Sequence, residues 1–71
     1  MADYILRPKD IENRIAQIRD VQDDDEIAHS TEDRMAWDLI RAIAENKCDL
    51  PEACCKIALQ SKDIEFRRWY A

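Results

Sequence analysis

The chain contains no glycine. Tight hairpin turns of the common two-residue kinds place a residue at φ > 0, and glycine is the usual supplier. With two prolines and many Ala, Glu, Arg, Ile and Leu, the residues favour helices joined by loops over paired strands. The expected fold class is all-α, a small bundle of three helices plus a short C-terminal helical element in a single domain over residues 1–71. Such a chain buries only about 60% of the surface its unfolded form exposes, so its core is thin. Small cores of this kind are commonly supplemented by disulfides, a metal or a second copy of the chain.

Acidic residues outnumber basic ones, giving a net charge of −5 and a pI of about 4.7. That balance argues against nucleic acid as a direct ligand, because neutralising phosphates requires clustered Lys and Arg. It argues equally against adsorption to anionic membranes. No stretch approaches the roughly 18 consecutive apolar residues of a spanning helix. The start Met1-Ala2-Asp3-Tyr4 has no basic region followed by an apolar run, so no secretion signal is expected. Three cysteines, an odd number without a glycine-rich framework, fit free thiols in a reducing cytoplasm.

Residues 1–7 form a lead-in carrying Tyr4, Ile5 and Leu6. Pro8 suits a first helical turn, and helix one is expected over 9–22. Its apolar residues Ile11, Ile15 and Ile18 fall within roughly 60° on a helical wheel, a narrow stripe of which only a thin edge is expected to be buried. Asp10 and Arg14 add an i,i+4 pair on the flank. Asp20, Asp23, Asp24, Asp25 and Glu26 then crowd like charges together, which predicts an acidic loop over 23–29. Ser30 with Asp33 reads as a capping box opening the central helix over 31–46.

In that central helix Met35, Ala36, Trp37, Leu39, Ile40, Ile43 and Ala44 sweep an arc of roughly 200°, opposite Arg34, Asp38, Arg41 and Glu45. A helix apolar over half its circumference is expected to touch more than one neighbour, and a carboxylate at Ile40 is expected to unfold the domain. Asp49 as N-cap, Pro51 in the first turn and Glu52 closing a box predict helix three over 50–60. Its apolar face is Leu50, Cys54, Ile57 and Ala58, with Cys55 and Leu59 beside it. The last stretch, 64–70, reads as one or two helical turns or as an extended tail across helix two; the helical form is expected. Ile64, Phe66 and Trp69 are assigned to the core.

Chemistry is hard to assemble from these residues. His29 with Cys48, Cys54 and Cys55 lacks the paired spacing of a zinc site, since adjacent Cys54 and Cys55 point about 100° apart on a helix. No metal or cofactor is expected. A Cys–His nucleophile pair would have only Lys47 and Lys56 to lower a thiol pKa, and little concavity to exclude water, so no enzymatic activity is expected. What remains are candidate contact residues: Asp23, Asp24, Asp25 and Glu26, which could imitate a phosphate backbone; His29 at the helix start; and Arg67 and Arg68 beside aromatic groups. Each also has a plain structural reading, as solvated loop, helix cap or core closure.

The pattern His29-Ser30-x-Glu32-Asp33, the segment Leu39-Ile40-Arg41-Ala42-Ile43-Ala44, then Ala58-Leu59 and the ending Ile64-Glu65-Phe66-x-Arg68-Trp69-Tyr70-Ala71 resemble a group of small proteins encoded by tailed bacteriophages and prophages. The resemblance spans about residues 28–71, and the glycine associated with the end of the central helix is replaced here around Asn46 and Lys47. It implies a setting rather than a mechanism: a phage-borne accessory gene product in the cytoplasm of an infected bacterium. The leading expectation is a non-catalytic module, monomer or homodimer, that binds a host or phage protein. One alternative is an acidic nucleic-acid mimic that blocks a nucleic-acid-binding host protein. The other is a self-associating structural protein, pairing through the Ile11, Ile15 and Ile18 stripe.

Overall fold

A computed structural model describes residues 4–67. It is all-α: α1 Pro8–Asp20, α2 Asp25–Ala44 and α3 Pro51–Leu59, followed by a 3-10 turn at Gln60–Asp63. Among the described residues the only strand-like pairing is an isolated bridge between Leu6 and Cys48.

α1 begins as its sequence dictates. Pro8 occupies the first turn, where its missing N–H costs nothing, and the Arg7 N–H donates to Asp10 Oδ2 at 2.8 Å. Hydrogen bonds from Tyr4 and from the Arg7 backbone hold the Asp10 carboxyl below its ordinary value of 3.8.

α2 begins six residues earlier than the capping box at Ser30 predicts. Asp24 is the cap, its Oδ1 accepting from the Ile27 N–H at 3.1 Å. Asp25 and Glu26 then fall in the first turn, at the positive end of the helix dipole. The carboxylates expected to repel one another into a loop over 23–29 are, in fact, what starts the helix. Ser30 and Thr31 instead turn their hydroxyls inward along the helix and both donate to the Ile27 carbonyl, at 3.1 and 2.7 Å.

The helix closes with a Schellman pattern. The Lys47 N–H reaches the Ala42 carbonyl at 2.7 Å and the Asn46 N–H reaches Ile43 at 3.1 Å, with Asn46 at φ 58°. Asparagine is the residue that best tolerates this left-handed conformation when glycine is absent. The lead-in docks on this same loop: Leu6 donates to the Lys47 carbonyl at 2.9 Å and accepts from the Asp49 N–H at 2.8 Å. That tie buries Leu6.

α3 also departs from its expected start. Leu50, not Asp49, precedes the first turn, with φ 52° and no side-chain cap. The Asp49 carbonyl instead accepts from the thiols of Cys54 at 3.4 Å and Cys48 at 3.7 Å. The stretch expected to be helical over 64–70 is extended at Ile64 and irregular through Arg67, because the 3-10 turn ends at Asp63; residues 68–70 lie outside the described residues. This tail is fastened to the corner between α1 and α2, Gln22 donating to the Glu65 carbonyl at 3.0 Å.

The core gathers Leu6, Ile11, Ile15, Ile18, Met35, Leu39, Cys54 and Ile64. The narrow α1 stripe is its centre: Ile11, Ile15 and Ile18 are 1%, 5% and 0% exposed. It is therefore unavailable as a seam for self-association. α2 contributes only one edge, Ala28, Met35 and Leu39, with half-buried Ala42 beside it. The Arg14–Asp38 ion pair at 2.8 Å ties α1 to α2 on the surface.

Candidate interaction surface

The wide apolar arc of α2 is divided by the fold. Beyond the buried edge, Trp37, Ile40 and Ile43 remain 67%, 54% and 39% exposed, and Leu59 at the end of α3 is 62% exposed. Ile40 is therefore not a core residue, and a carboxylate there does not meet the apolar interior that the sequence places around it. Trp37 lies roughly opposite the buried edge on the helical wheel. Among the described residues α1 and α3 are the helices that pack on α2, and they leave this part of its arc uncovered.

Between α2 and α3 runs an open groove of about 500 Å³. Its floor is apolar, with Met35, Ala36, Leu39 and Ile40 on one wall and Cys55, Ala58 and Leu59 on the other. Glu32, Asp33 and Lys62 close it with charge. Trp37, Ile40, Ile43 and Leu59 together expose on the order of 300–400 Å² of apolar side chain. Patches of roughly that size on a monomer commonly mark contact sites.

With α2 starting at Asp25, a second feature emerges. Asp25, His29, Glu32, Ala36, Ile40 and Ile43 fall within about 80° of one another. The stripe is acidic over its first two turns and apolar over the rest. Sequence reasoning misses it because a helix beginning at 31 leaves Asp25 and His29 in a loop.

The sequence-predicted contact residues are placed unequally. Asp23 and Glu26 are exposed at the α1–α2 turn and in the first turn of α2. Asp24 is engaged as the cap, and Asp25 Oδ1 accepts from the Arg67 N–H at 3.0 Å. The fold thus brings Asp25 and Arg67 together from distant parts of the chain. His29 is half-buried and pairs with Asp33, Nε2 to Oδ2 at 3.5 Å, one turn along the helix. Arg68 lies outside the described residues.

The three cysteines are free thiols, Cys54 buried and Cys48 and Cys55 half-buried. Cys54 is fully buried, and burial together with the neighbouring Cys48 thiol pushes it up to about 12. Among the described residues no group of three or more His, Cys, Asp or Glu side chains could hold a metal ion, and no helix is long and apolar enough to cross a membrane. No family model matches the chain, and no curated protein or solved structure is significantly similar to it.

Proposed function

We propose that this protein is a non-catalytic protein–protein interaction module, a phage-type accessory product acting on a host or phage protein in the bacterial cytoplasm. The observation that supports this reading is the outward face of α2, where Trp37, Ile40 and Ile43 stand exposed beyond the acidic turns. Leaving large apolar groups in water costs a small domain stability that burial inside would have supplied. A surface of this kind is explained by what it contacts. Enzymatic activity, a cofactor and direct nucleic-acid binding form no part of the proposal.

The acidic-mimic alternative draws less support. Of Asp23, Asp24, Asp25 and Glu26, two are engaged inside the fold, as a helix cap and as the acceptor for Arg67. Asp23 and Glu26 alone are too few to trace a phosphate backbone.

Affinity capture from a bacterial lysate, with matched baits, tests the module. Wild type is expected to retain a defined protein. Retention is expected to fail for Trp37→Glu/Ile40→Glu or for Asp25→Asn/Glu32→Gln/Asp33→Asn, and to survive Gln17→Glu on the exposed side of α1. A capture indifferent to both α2 variants, or no capture at high bait concentration, contradicts the proposal.

A further inference from the structure

We propose that Cys48 and Cys54 form a reversible oxidation site, closing into an intramolecular disulfide when the chain meets a peroxide. The inference stands apart from the α2 contact face and rests on one acceptor shared by two thiols. The Asp49 carbonyl oxygen lies 3.7 Å from the Cys48 sulfur and 3.4 Å from the Cys54 sulfur, and it accepts from both. The Cys54 thiol is also in hydrogen-bond contact with that of Cys48.

Local geometry brings this pair together. Leu50, at φ 52°, turns the backbone sharply between the loop and α3, and Cys48 comes back over the start of that helix. Cys54 is the fourth residue of α3, and Cα–Cβ bonds in a helix tilt toward its N-terminus. Its sulfur is thereby aimed at the Asp49 carbonyl just ahead of the helix. Cys55, one residue on, points about 100° away and lines the groove that faces α2. The fold selects one partner for Cys48 from two adjacent cysteines.

The backbone around Cys48 is held in place as well. Leu6 donates to the Lys47 carbonyl and accepts from the Asp49 N–H, so the lead-in is anchored on both sides of Cys48. A Cys48–Cys54 bond joins the lead-in anchor, the α2–α3 corner and α3 into one cross-linked unit. In reducing compartments, disulfides between such neighbours are usually transient and redox-responsive.

Exposure sets the order of the steps. Cys48 is half-buried, whereas Cys54 is 0% exposed and holds its proton tightly. Cys48 therefore reacts first. Its thiolate attacks one peroxide oxygen, the O–O bond breaks, and the sulfur becomes a sulfenic acid as water leaves with the thiol proton. The Cys54 sulfur then attacks the sulfenic sulfur, the S–O bond breaks, and hydroxide departs with the Cys54 proton as a second water. Two thiols and one peroxide thus give one disulfide and two waters, with two electrons passing from sulfur to peroxide. A dithiol reductant reverses the bond by exchange.

Hydrogen peroxide added to the full folded chain, followed by mass spectrometry, tests the site. The chain should lose about 2 Da without gaining oxygen and recover its mass in dithiothreitol. Cleavage after Glu52 separates Cys48 from Cys54 and Cys55, so these fragments should stay joined until reduced. Alkylation of the oxidised chain should mark Cys55 alone. Cys55→Ser should keep the cross-link and Cys48→Ser should lose it; the alkylation pattern of wild type decides the pairing without either variant. In concentrated urea, where the fold no longer chooses, Cys48 should divide between Cys54 and Cys55. A native cross-link that runs through Cys55, disulfides only between chains, or oxygen adducts without a cross-link overturn the proposal.

Discussion

α1 and α2 invert the relation between apolar width and burial. α1 carries a stripe of three isoleucines, and all three are sealed in the core. α2 carries an arc more than three times as wide, yet only Ala28, Met35 and Leu39 are buried along it. The difference lies in the neighbours. α1 is packed against both α2 and α3, and the 3-10 turn adds a further contact, so a narrow stripe meets cover on every side. α2 receives its neighbours along one edge. In a chain this short, how many elements converge on a face decides its burial, and the number of apolar residues on it does not.

The largest effect that could break this contrast is a cavity in α1. Ile18→Ala should cost about 2–5 kcal/mol, close to the whole stability expected of so small a domain. Ile43→Ala on α2 should cost under about 1 kcal/mol, since that side chain is already partly wet. Urea denaturation of the two variants compares them directly. Equal losses would erase the distinction.

The next effect is a pH dependence arising on α3. The Cys54 thiol is pushed from 9.0 up to about 12 in the folded chain. A raised folded value means the native state holds its proton after the unfolded chain has lost it. That contribution is therefore complete below pH 9 and lost progressively as pH rises from 9 toward 12. Stability curves of wild type and Cys54→Ala over this range should differ in slope, wild type falling more steeply. Parallel curves would place the thiol in water rather than in the core.

Smaller effects probe the helix ends. Asp24→Ala removes the α2 cap and should cost about 1 kcal/mol by thermal denaturation. A negligible change would return the start of α2 to Ser30. Leu50 is exposed at φ 52°, a conformation that costs a side chain with a Cβ roughly 1–2 kcal/mol. Leu50→Gly should therefore raise stability by about 0.5–1 kcal/mol, once the greater freedom of the unfolded chain is subtracted. A loss instead would show that Leu50 packs on a neighbour.

Much of this architecture is legible from the residues. The missing glycine and the 3.6-residue spacing give the helical class, and Pro8 and Pro51 mark two helix starts within a residue. The start of α2 is harder to read. Ser30 reads as the cap, while Asp24 reads as one of a run of mutually repelling carboxylates until their favourable placement at a helix N-terminus is weighed. The tail reads as helical yet is extended, because the carbonyl of Glu65 and the N–H of Arg67 bond to Gln22 and Asp25, residues over 40 positions away that no local pattern reveals. The exposed half of the α2 arc was least legible. A helical wheel shows which residues share a face but not how many neighbours will arrive to cover it.

The substitution at the middle of that arc gives the most direct measurement. Urea denaturation of Ile40→Asp, at about 1 µM where self-association adds little, should leave the midpoint within about 0.5 kcal/mol of wild type. A loss of several kcal/mol, comparable with Ile18→Ala, would place Ile40 in the core and remove the contact surface from the molecule.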